Sequence, residues 1–288
     1  MTEQLLGSGP VLLDLADDGV ARLRLNRPEA ANAMNLELLE ALYHALVRCD
    51  TDPRVRAILI TGEGRNFCAG GDVRAFAAQG ENLSNFVREV TVWLNNSISM
   101  LTQLAAPVVV AVHGVAAGGG GFGLVCAADL VIAGESARFF GPGTRIGMTP
   151  DAGTTVTLPA LVGFRKTMEI ILTNPTLTAA DALSIGLLNR VVADDALLDE
   201  ALGLARQLAA GPREANAAAK RLLWEGIGSP VDARLAAESS TVARLAGTPD
   251  VREGLASVAE RREPRFAGSA PAPSAAGDAP APGAAGQA

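Results

Sequence analysis

The sequence predicts an α/β fold in which strands come first and helices last. Strand and helix signals alternate up to about residue 160, and two short β-branched runs, "VRAILITG" and "PVVVAVHG", each lead into a glycine-rich turn. From about residue 165 the pattern turns helical, broken by Gly and Pro. These signals divide the chain into a core over residues 1–200, a helical region over 201–266 and an Ala/Pro/Gly-rich tail over 267–288. The tail lacks any large apolar side chain, so it is expected to be disordered.

Taken in order, "VLLDLADDGVARLRLN" reads as two strands around the turn Asp17-Asp18-Gly19. In "NLELLEALYHALVRCD" leucines recur at helical spacing behind Asn35, a suitable N-cap. "VRAILITG" and "PVVVAVHG" each carry a short uninterrupted apolar stretch, as expected of buried strands. Between them, "LSNFVREVTVWLNNSISMLTQL" reads as a long amphipathic helix. The later segments "AADALSIGLLNRVV", "DDALLDEALGLARQLAAG", "REANAAAKRLLWEG" and "PVDARLAAESSTVARLAG" read as helices.

Composition excludes several classes of function. With 49% hydrophobic and 19% charged residues the 288-residue chain can bury a full core. A net charge of -7 offers no basic field for nucleic acid. Three widely spaced cysteines and two histidines, His44 and His113, form no metal-ligand pattern, and an odd cysteine count fits a reducing cytoplasm. No export signal and no apolar run of membrane-spanning length is present, so no membrane partner is expected.

Two turns remain to be explained, "GRNFCAGGDV" and "HGVAAGGGGFG". Each follows a buried strand, and each can either expose backbone N–H groups to an anion or allow close backbone packing. The dinucleotide and P-loop glycine fingerprints are absent.

Together with "LRLNRPEAANAMN", "AADLVIAGESARF" and "RIGMTPDAGTTVTLPALVG", these turns resemble, in order and spacing, the enoyl-CoA hydratase/isomerase (crotonase) superfamily over residues 10–266. The resemblance implies a crotonase-like spiral of ββα units with a C-terminal helical trimerisation region, assembled as a homotrimer or a dimer of trimers. It implies an acyl-CoA thioester as substrate and no separate cofactor. It places an oxyanion hole on the backbone N–H groups of Ala69 and Gly119, which would hold the thioester oxygen as it becomes an enolate. Coenzyme A contacts carry over to Arg27, Ala30, Gly71 and Asp72, with Phe266 at the adenine end. Arg27 also reads as an ordinary surface residue, and Phe266 as simple packing.

The family's two hydratase glutamates fall on Phe122 and Gly143, so both carboxylates are missing. Hydration needs two acid/base groups around one water, which turns attention to Asp151 in "GMTPDAGTT". The form G-x-x-P-D-x-G resembles ring-epoxide and Δ3,Δ2-enoyl-CoA isomerases, where a single acid would shuttle the proton. Asp151 has a second reading as the N-cap of the following helix. The acyl pocket is expected between the helix over 83–104 and residues near Phe122, Phe140 and Pro142. His113 is expected to brace its turn, Asp129 to fix a helix end, and Cys68 to lack an activating cation. The resulting expectation is an acyl-CoA isomerase, with an enoyl-CoA hydratase, a related lyase or thioesterase-like enzyme, or a noncatalytic acyl-CoA scaffold as alternatives.

Overall fold

A computed structural model describes residues 1–266, so the expected disordered tail lies outside the described residues. The first strands are β1 (Thr2–Leu6), β2 (Val11–Ala16) and β3 (Val20–Leu25), followed by helix α1 (Leu36–Thr51). The Asn35 side chain accepts from Leu38 N–H at 3.0 Å, giving α1 the cap its sequence predicts. Then come β4 (Ala57–Gly62), α2 (Val73–Ala77), α3 (Leu83–Gln103), β5 (Val108–Val112) and β6 (Val115–Ala117). A short helical turn over Gly118–Phe122 leads into α4 (Gly123–Ala127), then β7 (Leu130–Gly134) and β8 (Arg138–Phe140).

The remainder is α5 (Thr154–Val162), α6 (Phe164–Thr173), β9 (Thr176–Thr178), α7 (Ala179–Ser184), β10 (Arg190–Val192), α8 (Leu197–Ala209), α9 (Arg213–Gly226), α10 (Leu235–Ala246) and α11 (Pro249–Glu260). Strands β9 and β10 correct the expectation that the chain after about residue 165 is helical between its Gly and Pro stops. Each has three residues, too few for an alternating pattern to stand out, and β10 is recruited by parallel pairing with Ile132–Gly134 of β7.

The chain winds as a spiral. Its large sheet has the order β1-β2-β3-β4-β5-β7-β10, antiparallel at the β1–β3 end and parallel from β3 onward. After β3, β4, β5 and β7 the chain steps onto a second, narrower ladder: Met34 bridges Gly71, Cys68 bridges Ala116, and β6 pairs with β8. Each step is followed by a helix. Alternation along the parallel strands explains why their runs are apolar throughout. Ile58, Ile60, Val108 and Val110 face the core under α1 and α3, whereas Leu59, Val109 and Ala111 face α8 through Ala201, Leu202 and Ala205. Helix α8 therefore belongs to the core layer, although it crosses the boundary expected at residue 200.

A buried ion pair ties α9 to this core. Lys220 Nζ lies 2.8 Å from Asp129 Oδ2 and donates to the carbonyls of Leu101 (2.8 Å) and Ala106 (3.2 Å). Asp129 also accepts from Val108 N–H at 2.7 Å and Trp224 Nε1 at 2.8 Å. Burial pulls the Lys220 ammonium below its usual range, opposed by the Asp129 charge. Lys220→Met is expected to destabilise the fold by about 3–5 kcal/mol, because it leaves the Asp129 charge without its cation. A shift of the urea midpoint at unchanged slope measures this, and an unmoved midpoint would refute it.

Candidate active site

The narrow ladder brings the two glycine turns side by side. Cys68 N–H donates to Val115 O and Ala117 N–H donates to Cys68 O, each at 2.9 Å. Gly70 adopts φ 98°, and a Cβ there would stand 2.9 Å from Ala117 O, so the approach of the two backbones requires glycine. In the four-glycine run, a Cβ on Gly119 would collide with the Asp151 carboxylate. Close packing and an accessible backbone are thus both present in these turns.

Hydrogen bonding corrects one donor. Ala69 N–H is spent on Ala31 O at 3.0 Å, within the link between the "NRPEAAN" loop and the "GRNFCAGGDV" turn, so it does not face a ligand. Gly71 N–H has no acceptor among the described residues, since its neighbours make the bridge to Met34: Gly70 O accepts from Met34 N–H at 2.7 Å, and Asp72 N–H donates to Met34 O at 3.0 Å. Gly119 is the second residue of its helical turn, where the helix itself supplies no acceptor for its N–H. Gly71 and Gly119 thus each present a backbone N–H with no acceptor among the described residues.

Both line a cavity of about 310 Å³, together with Ala69, Gly143 and Asp151. Its walls are largely apolar, formed by Val90 and Leu94 of α3 with Phe76, Phe140 and Met148. Among its lining residues only Asp151 and Arg145 carry charge. Phe122 is a correction: its ring is fully buried in the main core and does not line the cavity, as its large apolar surface favours. Pro142 is likewise buried and outside the lining.

Asp151 is held differently from a capping residue. The N-cap of α5 is Gly153, and no side chain caps that helix. Asp151 uses its carbonyl instead, accepting from Thr154 N–H at 3.0 Å and Thr154 Oγ1 at 2.7 Å. Ala152 and Gly153 follow with φ of 52° and 71°, a left-handed pair that turns the chain into the helix and leaves the Asp151 carboxyl in the cavity. Burial holds that carboxyl above the usual carboxylate range.

The other predicted residues fall outside this cavity. Arg27 and Asp72 pair with each other at 3.2 Å, and Ala30 lies on the adjoining turn over Pro28–Ala30. Phe266 lines a separate groove against Gly254 and α11. His113 braces its turn, with Nε2 3.1 Å from Gly64 O, and Cys68 is buried with its thiol pushed up to about 12. Sequence reading missed Asn32, fully buried with φ 54°. A polar amide between alanines just before an apolar residue was its only signal.

Comparison with known proteins agrees with this architecture. The family model described as Enoyl-CoA hydratase/isomerase matches residues 16–269. A Rhodobacter capsulatus protein named "Probable enoyl-CoA hydratase" is 39% identical over 251 residues, covering 87% of this chain and 95% of that one. The 1,2-epoxyphenylacetyl-CoA isomerase of Escherichia coli is 35% identical over 259 residues, covering 89% and 98%. The crystal structure of an enoyl-CoA hydratase from Bacillus anthracis superposes with a TM-score of 0.85 at 32% identity, covering 90% of this chain and 100% of that one. With its spiral of two ladders and its paired glycine turns beside one cavity, the chain belongs to the enoyl-CoA hydratase/isomerase family of the crotonase superfamily, whose members act on CoA thioesters.

Proposed function

We propose that the protein is an acyl-CoA isomerase that moves a double bond by proton transfer through a thioester enolate. The observation that carries this reading is the single carboxylate in the cavity: Asp151 lines it, while the two positions of the hydratase glutamates hold the core residue Phe122 and the side-chain-less Gly143. One carboxylate can move a proton but cannot readily hold and split a water. In the proposed reaction, the carboxylate of Asp151 takes a proton from C2 of a 3-enoyl-CoA. The electron pair passes to the thioester oxygen, held by Gly71 and Gly119 N–H, and returns as the same acid delivers the proton to C4. The product is 2-enoyl-CoA. Only protons move, so this chemistry calls for no metal or redox cofactor.

Two further parts of the reading rest on the same chain. Leu223, Val242, Leu255 and Val258 on α9–α11 are exposed apolar side chains, which supports assembly as a homotrimer or a dimer of trimers through the helical region. Three free buried thiols support a cytoplasmic setting, and no helix among the described residues is long and apolar enough to cross a membrane.

The test is exchange of the C2 protons of a panel of acyl-CoAs with deuterated water. Exchange is expected, falling as pH is lowered through the raised Asp151 value, because protonation removes the base. The limb should lie above the reference Asp pKa of about 3.9. Binding of the thioesters without exchange at any pH would mark a scaffold instead.

A further inference from the structure

Resting on Gly71 as an oxyanion donor, we propose that the Arg27–Asp72 ion pair, braced by Asn32, is a positioning clamp for that donor rather than a coenzyme A contact. Both Nη atoms of Arg27 lie 3.2 Å from Asp72 Oδ2, and Nη1 also donates to Ala33 O. The pair is mostly buried, with the two side chains 19% and 14% exposed. The other Asp72 oxygen is occupied too: Oδ1 accepts from Arg74 and Ala75 N–H, each at 3.1 Å, and so caps α2. Both charged groups already have their partners inside the chain.

The surrounding bonds show what the pair holds. Arg27 N–H donates to Asn32 Oδ1 at 2.8 Å, while Asn32 Nδ2 donates to the carbonyls of Glu63 (2.9 Å) and Asn66 (2.8 Å). Asn32 thereby joins the loop after β3 to the turn after β4. The oxyanion segment is then pinned on either side of Gly71: at Ala69 by Ala31 O, at Gly70 by Met34 N–H, and at Asp72 by both Met34 O and Arg27. Gly71 is the residue in this segment whose N–H is left for a ligand. Loss of the Arg27 charge leaves Asp72 partly buried without its cation and frees one end of the segment, which moves the donor.

The experiment compares the parent, Arg27→Met, Arg27→Lys and Asp72→Asn in the full chain. It reads the affinity for free coenzyme A, the turnover, and the carbonyl stretch of a bound ¹³C-labelled acyl-CoA thioester. A well-placed donor polarises the carbonyl and lowers its frequency, a property a merely structural role would not set. Arg27→Met is expected to bind coenzyme A within about twofold of the parent, to lose most of the downshift and to lose at least about tenfold in turnover. Arg27→Lys should recover part of both, because an ammonium can still pair with Asp72. Asp72→Asn, which keeps an oxygen to cap α2, should resemble Arg27→Met and covers the case in which that variant fails to fold. An Arg27→Met or Asp72→Asn protein that retains the parental downshift and turnover would overturn the clamp. So would an order-of-magnitude loss of coenzyme A affinity with the downshift intact. A parent without any downshift would overturn the oxyanion reading and the clamp with it, whereas a parental downshift that is lost together with turnover in Arg27→Met leaves that reading standing and supports the clamp.

Discussion

Asp151→Asn is expected to abolish isomerisation, with a loss of about 10²–10⁴-fold or more in turnover, while leaving acyl-CoA affinity near the parental value. The amide keeps the shape of the side chain and the backbone bonds to Thr154, but it cannot accept the C2 proton. The same variant is expected to melt at a higher temperature than the parent at neutral pH. Burial raises the Asp151 pKa in the folded state above its unfolded value. The stabilising contribution of its neutral form is therefore full below the unfolded pKa and lost as pH rises through the folded one. Asparagine stays neutral throughout and avoids that loss. Lower activity with higher melting temperature is the signature of a carboxylate kept for chemistry. An Asp151→Asn protein that turns over at the parental rate would move the base elsewhere.

Gly119→Ala is expected to cost about 10²–10³-fold in turnover, comparable with removing one oxyanion donor. A Cβ at this position runs into Asp151 Oδ1, so the added methyl displaces the base, the Gly119 donor or both. The change reaches the two proposed catalytic parts at once. Circular dichroism and gel filtration on the same sample establish that the fold survives. Near-parental turnover in a folded Gly119→Ala protein would mean that Gly119 and Asp151 do not share the reacting site.

How far the sequence revealed this can be argued from particular residues. The β4 and β5 runs announced buried parallel strands because both faces are apolar, and Asn35 announced α1 because it caps it. The strands β9 and β10 carried no such signal, since three residues acquire strand geometry only from the partners beside them. In the site, Asp151 was legible as the remaining acid in a glycine- and proline-marked turn. Its alternative as a helix cap was not decidable until Gly153 took that position. Ala69 and Gly71 are two residues apart, and only the bond from Ala69 to Ala31 O separates a structural N–H from a free one. Phe122 stood at a family active-site position, yet without a carboxylate an aromatic side chain there follows the core rather than the cavity. Such distinctions depend on where a backbone group points, which residue spacing does not encode.

The measurement that tests the central claim most directly sets two reactions of the purified protein side by side: conversion of 3-enoyl-CoA to 2-enoyl-CoA, and hydration of 2-enoyl-CoA. A single carboxylate facing two backbone donors predicts that isomerisation is the faster of the two and that it disappears in Asp151→Asn. Hydration that outpaces isomerisation, at a rate unaffected by Asp151→Asn, would contradict it.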